Sequence, residues 1–280
     1  MAQIREIKQR IRSVTNTSKV THAMELVAAA KMKKSQEAAL ASRPYTLALN
    51  QILAEVRQKA KEASHKLLNN NSAQTELLIL ITTDRGLVGG LNINLFREVA
   101  NLNKNAKYIV VGKKGTLFAS KSHADIVASF NSDEYSPLDL ARTLTKLATE
   151  SFIKAEVASV KVAYPDFQST VKQIPTITQV LPIELTEEKK SEGVEADLLF
   201  EPNASMILEN ILPHYVLTKI YQTVLEAKAS EHSARMVSMK NATDAAGDLI
   251  EDLTLNYNQA RQEAITKELL DIITAQGAFQ

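Results

Sequence analysis

The segment Thr83–Gly90, with the sequence TDRGLVGG, is the stretch of this chain best suited to bind a ligand. It follows an apolar run typical of a strand and precedes an amphipathic helical pattern, and backbone N–H groups in that setting bind phosphate. A P-loop needs Lys followed by Ser or Thr after the glycines, and a dinucleotide fold needs G-x-G-x-x-G; neither spacing is present. The turn Val110–Gly115 lacks them too. We interpret Thr83–Gly90 as a structural turn, with a nucleotide site as the alternative.

Other reactive side chains form no recognisable constellation. The histidines are His22, His65, His123, His214 and His232. None lies in H-E-x-x-H or another metal-binding pair. Glu231, His232 and Ser233 are adjacent, but neighbours on a helix point in different directions, so a hydrolase triad is not indicated. Asp133 and Glu134 lie in a turn-like stretch and are expected to face solvent. The chain has no cysteine, which excludes thiol catalysis and disulfides. We therefore predict a protein with no catalytic residue, cofactor or metal.

Composition sets the broad class. The chain has 280 residues, 45% of them apolar, and a formal net charge of +1. These values predict a folded protein of one or two domains and argue against a nucleic-acid coat. No apolar run reaches the ~18 residues of a membrane span, and the first residues lack the apolar core of a signal peptide. A cytoplasmic location is predicted.

Glycine and proline are scarce at both ends of the chain. Residues 1–43 contain neither, and residues 214–280 contain no proline. Both ends are rich in Ala, Lys, Glu, Gln, Met and Leu, which favour helix. We predict long helices over residues 3–61 and 205–276.

Apolar residues recur along both predicted helices with the spacing of a coiled coil. In the C-terminal helix, steps of three and four residues join Met236, Met239, Thr243, Ala246, Ile250, Leu253, Tyr257, Ala260 and Ala264. In the N-terminal helix, the stripe is Ile4, Ile7, Ile11 and Val14, continued with one slip by Val20, Met24 and Val27. Residues 1–61 carry 12 basic and 4 acidic side chains, whereas residues 205–280 carry 6 and 10. These patterns predict a long antiparallel coiled coil of the two terminal helices.

The middle of the chain alternates strand and helix patterns. We predict strands at 77–83, 108–112 and 126–130, helices at 91–102, 115–121 and 137–149, and a final strand pair at 156–164 and 171–182. This order predicts a largely parallel sheet. The fold class is therefore α/β, a coiled coil with an inserted Rossmann-like domain. The predicted domains are residues 1–61, 75–200 and 205–280.

Five segments together carry a family resemblance. They are Ile11–Lys34, Ser42–Tyr45, Thr83–Asn94, Glu231–Thr243 and Leu253–Glu268. They closely resemble the gamma subunit of F-type ATP synthase, and residues 105–200 match it only in layout. Val88 replaces the Cys of many members, and the glycine of the C-terminal end, Gly277, comes later than usual. The chain lacks the cysteine-bearing insertion of the chloroplast form, which favours a bacterial-type subunit.

The resemblance implies a non-catalytic rotor. The coiled coil would stand within a ring of three alpha and three beta subunits, and the inserted domain would join the epsilon subunit and the membrane c ring. Proton flow would turn this stalk and drive ATP synthesis on the beta subunits, or hydrolysis in reverse. The subunit would be a peripheral protein at the cytoplasmic face of the bacterial plasma membrane, attached only through the complex.

The resemblance also implies roles for individual residues. Contacts with beta are expected for Met24, Arg235, Arg261, Gln262, Thr266 and Glu268. A loop facing beta and epsilon is expected to contain Asp84, Arg85, Gly86, Gly89 and Gly90. Contact with the c ring is expected for Phe200, Glu201 and Pro202. From the residues alone, a Met at a heptad position is more often core, and Arg235 could simply pair with the N-terminal helix.

Two rival functions lead to different observations. An unrelated coiled-coil scaffold would form stable homodimers and ignore nucleotide-binding subunits. A small enzyme using residues 86–90 would bind ATP or NAD alone. A nucleic-acid arm is disfavoured, because the basic N-terminal helix has no aromatic residue before Tyr45 to stack on bases.

Overall fold

The computed structural model of the protein describes residues 2–59, 65–102, 106–183 and 204–277. In chain order, its elements are α1 (Ala2–Lys59), β1 (Glu76–Ile81), α2 (Leu91–Ala100), β2 (Ala106–Val111), α3 (Lys113–Lys121), β3 (Asp125–Phe130), α4 (Pro137–Ile153), β4 (Ser159–Phe167), β5 (Gln173–Leu181) and α5 (Ala204–Gly277). The two long terminal helices and the alternating middle are confirmed. The strand predicted to reach residue 83 ends at Ile81 instead, because Thr82 and Thr83 turn into the following loop.

The chain divides into two compact units. Met1–Ala29 and Arg235–Gln280 form the first, which we call the helix unit, and Ala30–Ala234 forms the second, the sheet unit. Both α1 and α5 contribute residues to each unit.

In the helix unit, the predicted seam of α5 is confirmed. All nine of its residues, from Met236 to Ala264, are buried or partly buried, while most positions between them are exposed. The Thr243 hydroxyl donates a hydrogen bond of 2.8 Å to the Thr21 hydroxyl of α1. Much of this seam is Ala, Thr and Met, so the two helices meet along short or flexible side chains.

The predicted stripe of α1 is correct at its start and wrong further on. Ile4, Ile7, Ile11 and Val14 are partly buried, and so is Met24. Val20 and Val27, however, are 58% and 57% exposed. Steps of four and three residues from Val14 lead to Ser18, Thr21, Glu25 and Ala28, which are partly or fully buried instead. Helix geometry, rather than side-chain hydrophobicity, decides which positions face the partner helix.

The burial limits fit an antiparallel pair. Thr21 and Thr243 are hydrogen-bonded to each other. The α1 stripe starts at Ile4, seventeen residues before Thr21, and the α5 seam continues to Ala260, seventeen residues after Thr243, which is close to its end. In the sheet unit, Ser42 bonds to Gln222, and Tyr45 lies 2.5 Å from His214. The partner number falls as the α1 number rises, so the helices run in opposite directions there too.

The sheet unit is built on a five-stranded sheet of order β3-β2-β1-β4-β5. The pairs β1–β2, β1–β4 and β2–β3 are parallel, and β4–β5 is antiparallel. The largely parallel sheet and the final strand pair are thus confirmed.

Central strand β1 is apolar throughout because both of its faces are covered. Leu77, Ile79 and Ile81 belong to the larger core, which α4, α5 and the end of α1 complete. Leu78 and Leu80 belong to a second core beneath α2 and α3. The sheet is thus the middle of three layers.

Among the residues that the structure describes, no helix combines the length and the apolar character needed to cross a membrane.

Gly112 is tightly constrained by the fold. Its φ is +96°, and a Cβ added there would lie 2.4 Å from the Thr82 carbonyl oxygen. We predict that Gly112→Ala lowers the free energy of unfolding by about 2 kcal/mol or more, through backbone strain and steric overlap. Urea denaturation of the purified chain, followed by circular dichroism, measures this. Gly86→Ala is the matched control, because a Cβ there meets nothing within 4 Å. Equal stability of the two variants would contradict the prediction.

Candidate functional site

The loops that follow β1, β2 and β3 meet at the carboxyl edge of the sheet. Thr82, buried at the end of β1, joins the first two. Its hydroxyl donates to the Val111 carbonyl (2.8 Å) and accepts from the Gly115 N–H (2.9 Å). This hydroxyl therefore binds the turn that starts α3 to the end of the central strand.

The loop Thr83–Gly90 is held by side chains of its own and of α2. The Thr83 hydroxyl donates to the Arg85 carbonyl (2.7 Å) and accepts from the Asn92 amide (2.8 Å). Leu87 and Gly89 have positive φ angles of 63° and 57°. Val88 is buried and packs with Leu91 and Ala234. These bonds support the interpretation of the segment as a structural turn.

The Asp84 carboxylate lies where a parallel α/β fold commonly binds an anion. One oxygen accepts from the N–H of Lys113, the first residue of α3 (3.0 Å). The other accepts from the N–H of Asp133, after β3 (2.8 Å). The chain thus places its own negative charge at the start of α3, where the helix dipole favours one, and Asp84 braces three loops together.

Asp133 connects these loops to α5. The Lys228 ammonium lies 3.3 Å from one Asp133 carboxylate oxygen and donates to the Ser132 carbonyl at 3.0 Å. The Arg85 guanidinium lies 3.6 Å from the other carboxylate oxygen. The Lys228 side chain is only 16% exposed, against 82% for Arg85. We call Arg85, Asp133 and Lys228 the loop–helix cluster.

The surrounding charges set the ionisation of Asp133. Partial burial by itself would raise the pKa of this carboxyl, but Lys228, Arg85 and Lys31 outweigh it and leave the pKa below its usual value. Asp133 is therefore ionised at neutral pH and attracts the lysine of α5.

Further polar contacts lie along the same part of α5. The Ser233 hydroxyl donates to the Thr170 carbonyl, between β4 and β5, at 2.6 Å.

Burial, together with Glu226 and Asp166, raises the pKa of the Tyr164 phenol, which stays neutral. Elsewhere in the unit, partial burial lowers the pKa of His65 although Glu209 opposes it. Within the described ranges, no three His, Asp or Glu side chains converge as metal ligands.

The residues assigned by resemblance to subunit contacts differ in how exposed they are. Met24 and Arg235 are partly buried. Four others on α5 are exposed, namely Arg261, Gln262, Thr266 and Glu268. Phe200, Glu201 and Pro202 lie outside the described residues.

The end of α5 presents an apolar surface. All side chains from 265 to 274 are exposed. The apolar ones are Ile265, Leu269, Leu270, Ile272 and Ile273, each 45–63% exposed. We call these five the apolar tip.

Sequence reasoning missed the loop–helix cluster and the apolar tip. Asp133 is exposed, as predicted, but it also bonds to a lysine 95 positions away. No local pattern relates two such positions. The apolar tip had a signal, because five large apolar residues follow the end of the seam at Ala264.

The chain is similar over its whole length to known proteins. A family model described as ATP synthase matches residues 3–279. A protein of Opitutus terrae described as "ATP synthase gamma chain" is 45% identical over 99% of both chains. One of Methylacidiphilum infernorum with the same description is 40% identical over all of both chains.

Two solved structures have a similar fold. A chain of the Euglena gracilis mitochondrial ATP synthase, from a structure of OSCP, F1 and c-ring, has a TM-score of 0.70 at 20% identity, covering 99% of this chain and 95% of that one. A chain of the Tetrahymena thermophila central stalk and c-ring has a TM-score of 0.62 at 24% identity, covering 80% and 99%.

The Asp84 brace leads to a stability prediction. Asp84→Ala leaves the N–H groups of Lys113 and Asp133 without their carboxylate, and we expect a loss of about 1–3 kcal/mol in the free energy of unfolding. Asp125→Ala, at an exposed carboxylate that starts β3, is the control and is expected to cost less than about 0.5 kcal/mol. Urea denaturation of both variants gives the difference. A cost for Asp84→Ala no larger than the control would show that the brace contributes little.

Proposed function

Because this chain belongs to the gamma chain family of ATP synthase, we propose that it is the central-stalk rotor subunit of a bacterial ATP synthase. In this role it transmits torque between a membrane c ring and catalytic beta subunits, and ATP is made or hydrolysed on beta. The chain itself contributes no catalytic group. Its place is the cytoplasmic face of the plasma membrane, where it is held through the complex.

The continuity of α5 carries this proposal. One helix of 74 residues, Ala204–Gly277, takes part in both the sheet unit and the helix unit. A continuous helix has a backbone hydrogen bond at almost every residue, so a turning force applied to one part reaches the rest. This is the property that a drive shaft requires.

The exposed polar residues of α5 support contacts with beta. Arg261, Gln262, Thr266 and Glu268 project from the helix, and the Thr266 hydroxyl bonds back to the Gln262 carbonyl at 2.9 Å. An arginine fork can bind carboxylates of a surrounding subunit in bidentate fashion. Met24 and Arg235 are proposed to reach beta through the exposed fraction of their partly buried side chains.

The apolar tip supports a location inside the alpha–beta ring. Several large apolar side chains exposed together on one helix end are costly in water and typical of an interaction surface. A surrounding collar of apolar side chains, supplied by three alpha and three beta subunits, would cover them while still permitting rotation, because apolar contacts have no preferred direction.

The sheet unit is proposed to join the epsilon subunit and the c ring. In the loop Asp84–Gly90, Asp84 is engaged by two backbone donors, so Arg85, with 82% of its side chain exposed, is the residue best placed to contact a partner. Gly89 turns the loop with its positive φ, and Gly86 and Gly90 are proposed to belong to the same partner-facing segment. Contact with the c ring is proposed for Phe200, Glu201 and Pro202, on the resemblance alone.

The rival functions have less support. The start of α3 is already filled by Asp84, which disfavours a phosphate there. The seam of α5 faces α1 of the same chain, so it offers no stripe to a second copy.

Reconstitution tests the proposed function. Mixing the purified chain with matching alpha and beta subunits should yield a complex with one copy per three alpha–beta pairs that hydrolyses ATP, while the chain alone stays inert. Native mass spectrometry gives the stoichiometry, and phosphate release gives the activity. A chain that forms no complex and binds or hydrolyses nucleotide alone would refute the rotor assignment.

A second experiment tests the apolar tip. In the assembled complex, Leu270→Lys places a charge against the apolar collar, and we expect ATP turnover or complex stability to fall by about tenfold, equivalent to about 1.4 kcal/mol. Leu270→Met, which keeps volume and apolar character, should leave both nearly unchanged. Wild-type turnover and stability in the lysine variant would rule out an apolar collar at this residue.

A further inference from the structure

The loop–helix cluster is a directional connection between α5 and the sheet. Lys228 is largely buried, and its ammonium bonds to both the Ser132 carbonyl (3.0 Å) and the Asp133 carboxylate (3.3 Å). Both acceptors lie in the turn between β3 and α4. A lysine of the long helix is thereby fixed to the carboxyl edge of the sheet.

That turn is itself firmly held. The Asp133 N–H donates to Asp84, which also accepts from the first N–H of α3. The rings of Phe130 and Tyr135, on either side of the turn, meet edge to face at 5.9 Å. A force that reaches Asp133 from Lys228 therefore passes into the loops after all three parallel strands at this edge.

Hydrogen bonds from Ser233 to the Thr170 carbonyl and between Glu226 and Tyr164 also join α5 to the sheet unit, and they lie beside extensive apolar packing. Val216, Ile220, Val224 and Ala227 pack into the larger core. Apolar packing opposes separation of helix and sheet but has little directional preference. A charge-assisted hydrogen bond depends on distance and angle, so it resists sliding and rotation of α5 against the sheet.

We propose that Lys228, paired with Asp133, is a positioning residue that transmits torque between the sheet and α5. This rests on the proposed function. The pair stiffens the connection between the sheet and α5. The sheet belongs to the part of the chain proposed to bind epsilon and the c ring, and α5 continues to Gly277.

Removing the lysine charge should leave the fold intact. In Lys228→Met, the Asp133 carboxylate keeps the Arg85 guanidinium at 3.6 Å and stays half exposed, so no unpaired charge becomes buried. Methionine replaces most of the aliphatic stem. The variant thus isolates the directional contact.

The absence of cysteine from the chain allows a rotation probe at one chosen site. Ser120→Cys introduces one thiol on α3, at an exposed residue away from the cluster. A bead is attached there in a complex whose matching alpha and beta subunits are fixed to a surface. The variance of the bead angle during pauses gives the torsional stiffness, and bead rotation on addition of ATP gives function.

In Lys228→Met, we expect the angular variance to rise about twofold, because variance is inversely proportional to torsional stiffness and the strong, directional charge-assisted contact is expected to supply about half of the stiffness of this joint. Lys228→Arg, which keeps a cationic donor, should restore most of the stiffness. Asp133→Asn in the Lys228→Met background should add little, since the two residues act as one contact.

The matched control is Lys161→Met. Lys161 pairs with Glu76 at 2.7 Å, with both side chains 25% exposed, but this pair joins β4 to β1 and does not involve α5. Its loss should leave the variance unchanged. Wild-type variance in Lys228→Met, or equal widening in Lys161→Met, would overturn the proposal.

Two further outcomes have distinct meanings. If the wild-type complex assembles but does not rotate on ATP, the proposed function fails, whatever Lys228 does. If Lys228→Met does not assemble, Asp133→Asn is measured instead. It keeps the bond from Lys228 to the Ser132 carbonyl and should still widen the variance; wild-type variance there would overturn the proposal.

Discussion

The structure depends on α5 remaining a single helix while its surroundings change along its length. Between Tyr215 and Ala234 every residue is buried or partly buried, and even Thr223, Ser230 and Ser233 are buried. From Lys240 to Ala264 little more than one stripe is covered, and from Ile265 to Thr274 every side chain is exposed. Intrahelical hydrogen bonds satisfy the backbone in all three settings, so only the side chains have to change.

The carboxyl edge of the sheet shows how a ligand-binding position can become a joint. Parallel α/β folds commonly bind anions where helices begin after strands. Here Asp84 and the hydroxyls of Thr82 and Thr83 take up the donors of the loops. The loops are thereby tied to one another, and through Asp133 and Lys228 to α5. In other proteins this arrangement often binds a substrate. Here it connects the loops of the sheet to one another and to α5, which suits a subunit that rotates but does not catalyse.

A firm connection to the sheet and an exposed apolar end are combined in the same helix. The sheet unit is connected to α5 by a large apolar core and by charge-assisted bonds. The end of α5 exposes the five apolar side chains of the apolar tip, which cannot form hydrogen bonds. Strong connection at one part of the helix and non-directional contact at another are what a rotating shaft in a protein bearing requires.

The sequence by itself determined the helices, the order of strands and helices, and the seam of α5. Local propensity and residue spacing encode these features, and Met236 to Ala264 follow steps of three and four without a miss. The motifs at the two ends also identified the family. Tertiary structure alone decided that Ser18 and Thr21, rather than Val20, face the partner helix, and that Asp133 meets Lys228. The physical reason is that such contacts join residues distant in sequence, and their partners are set by how the helices and strands pack, which no local pattern records.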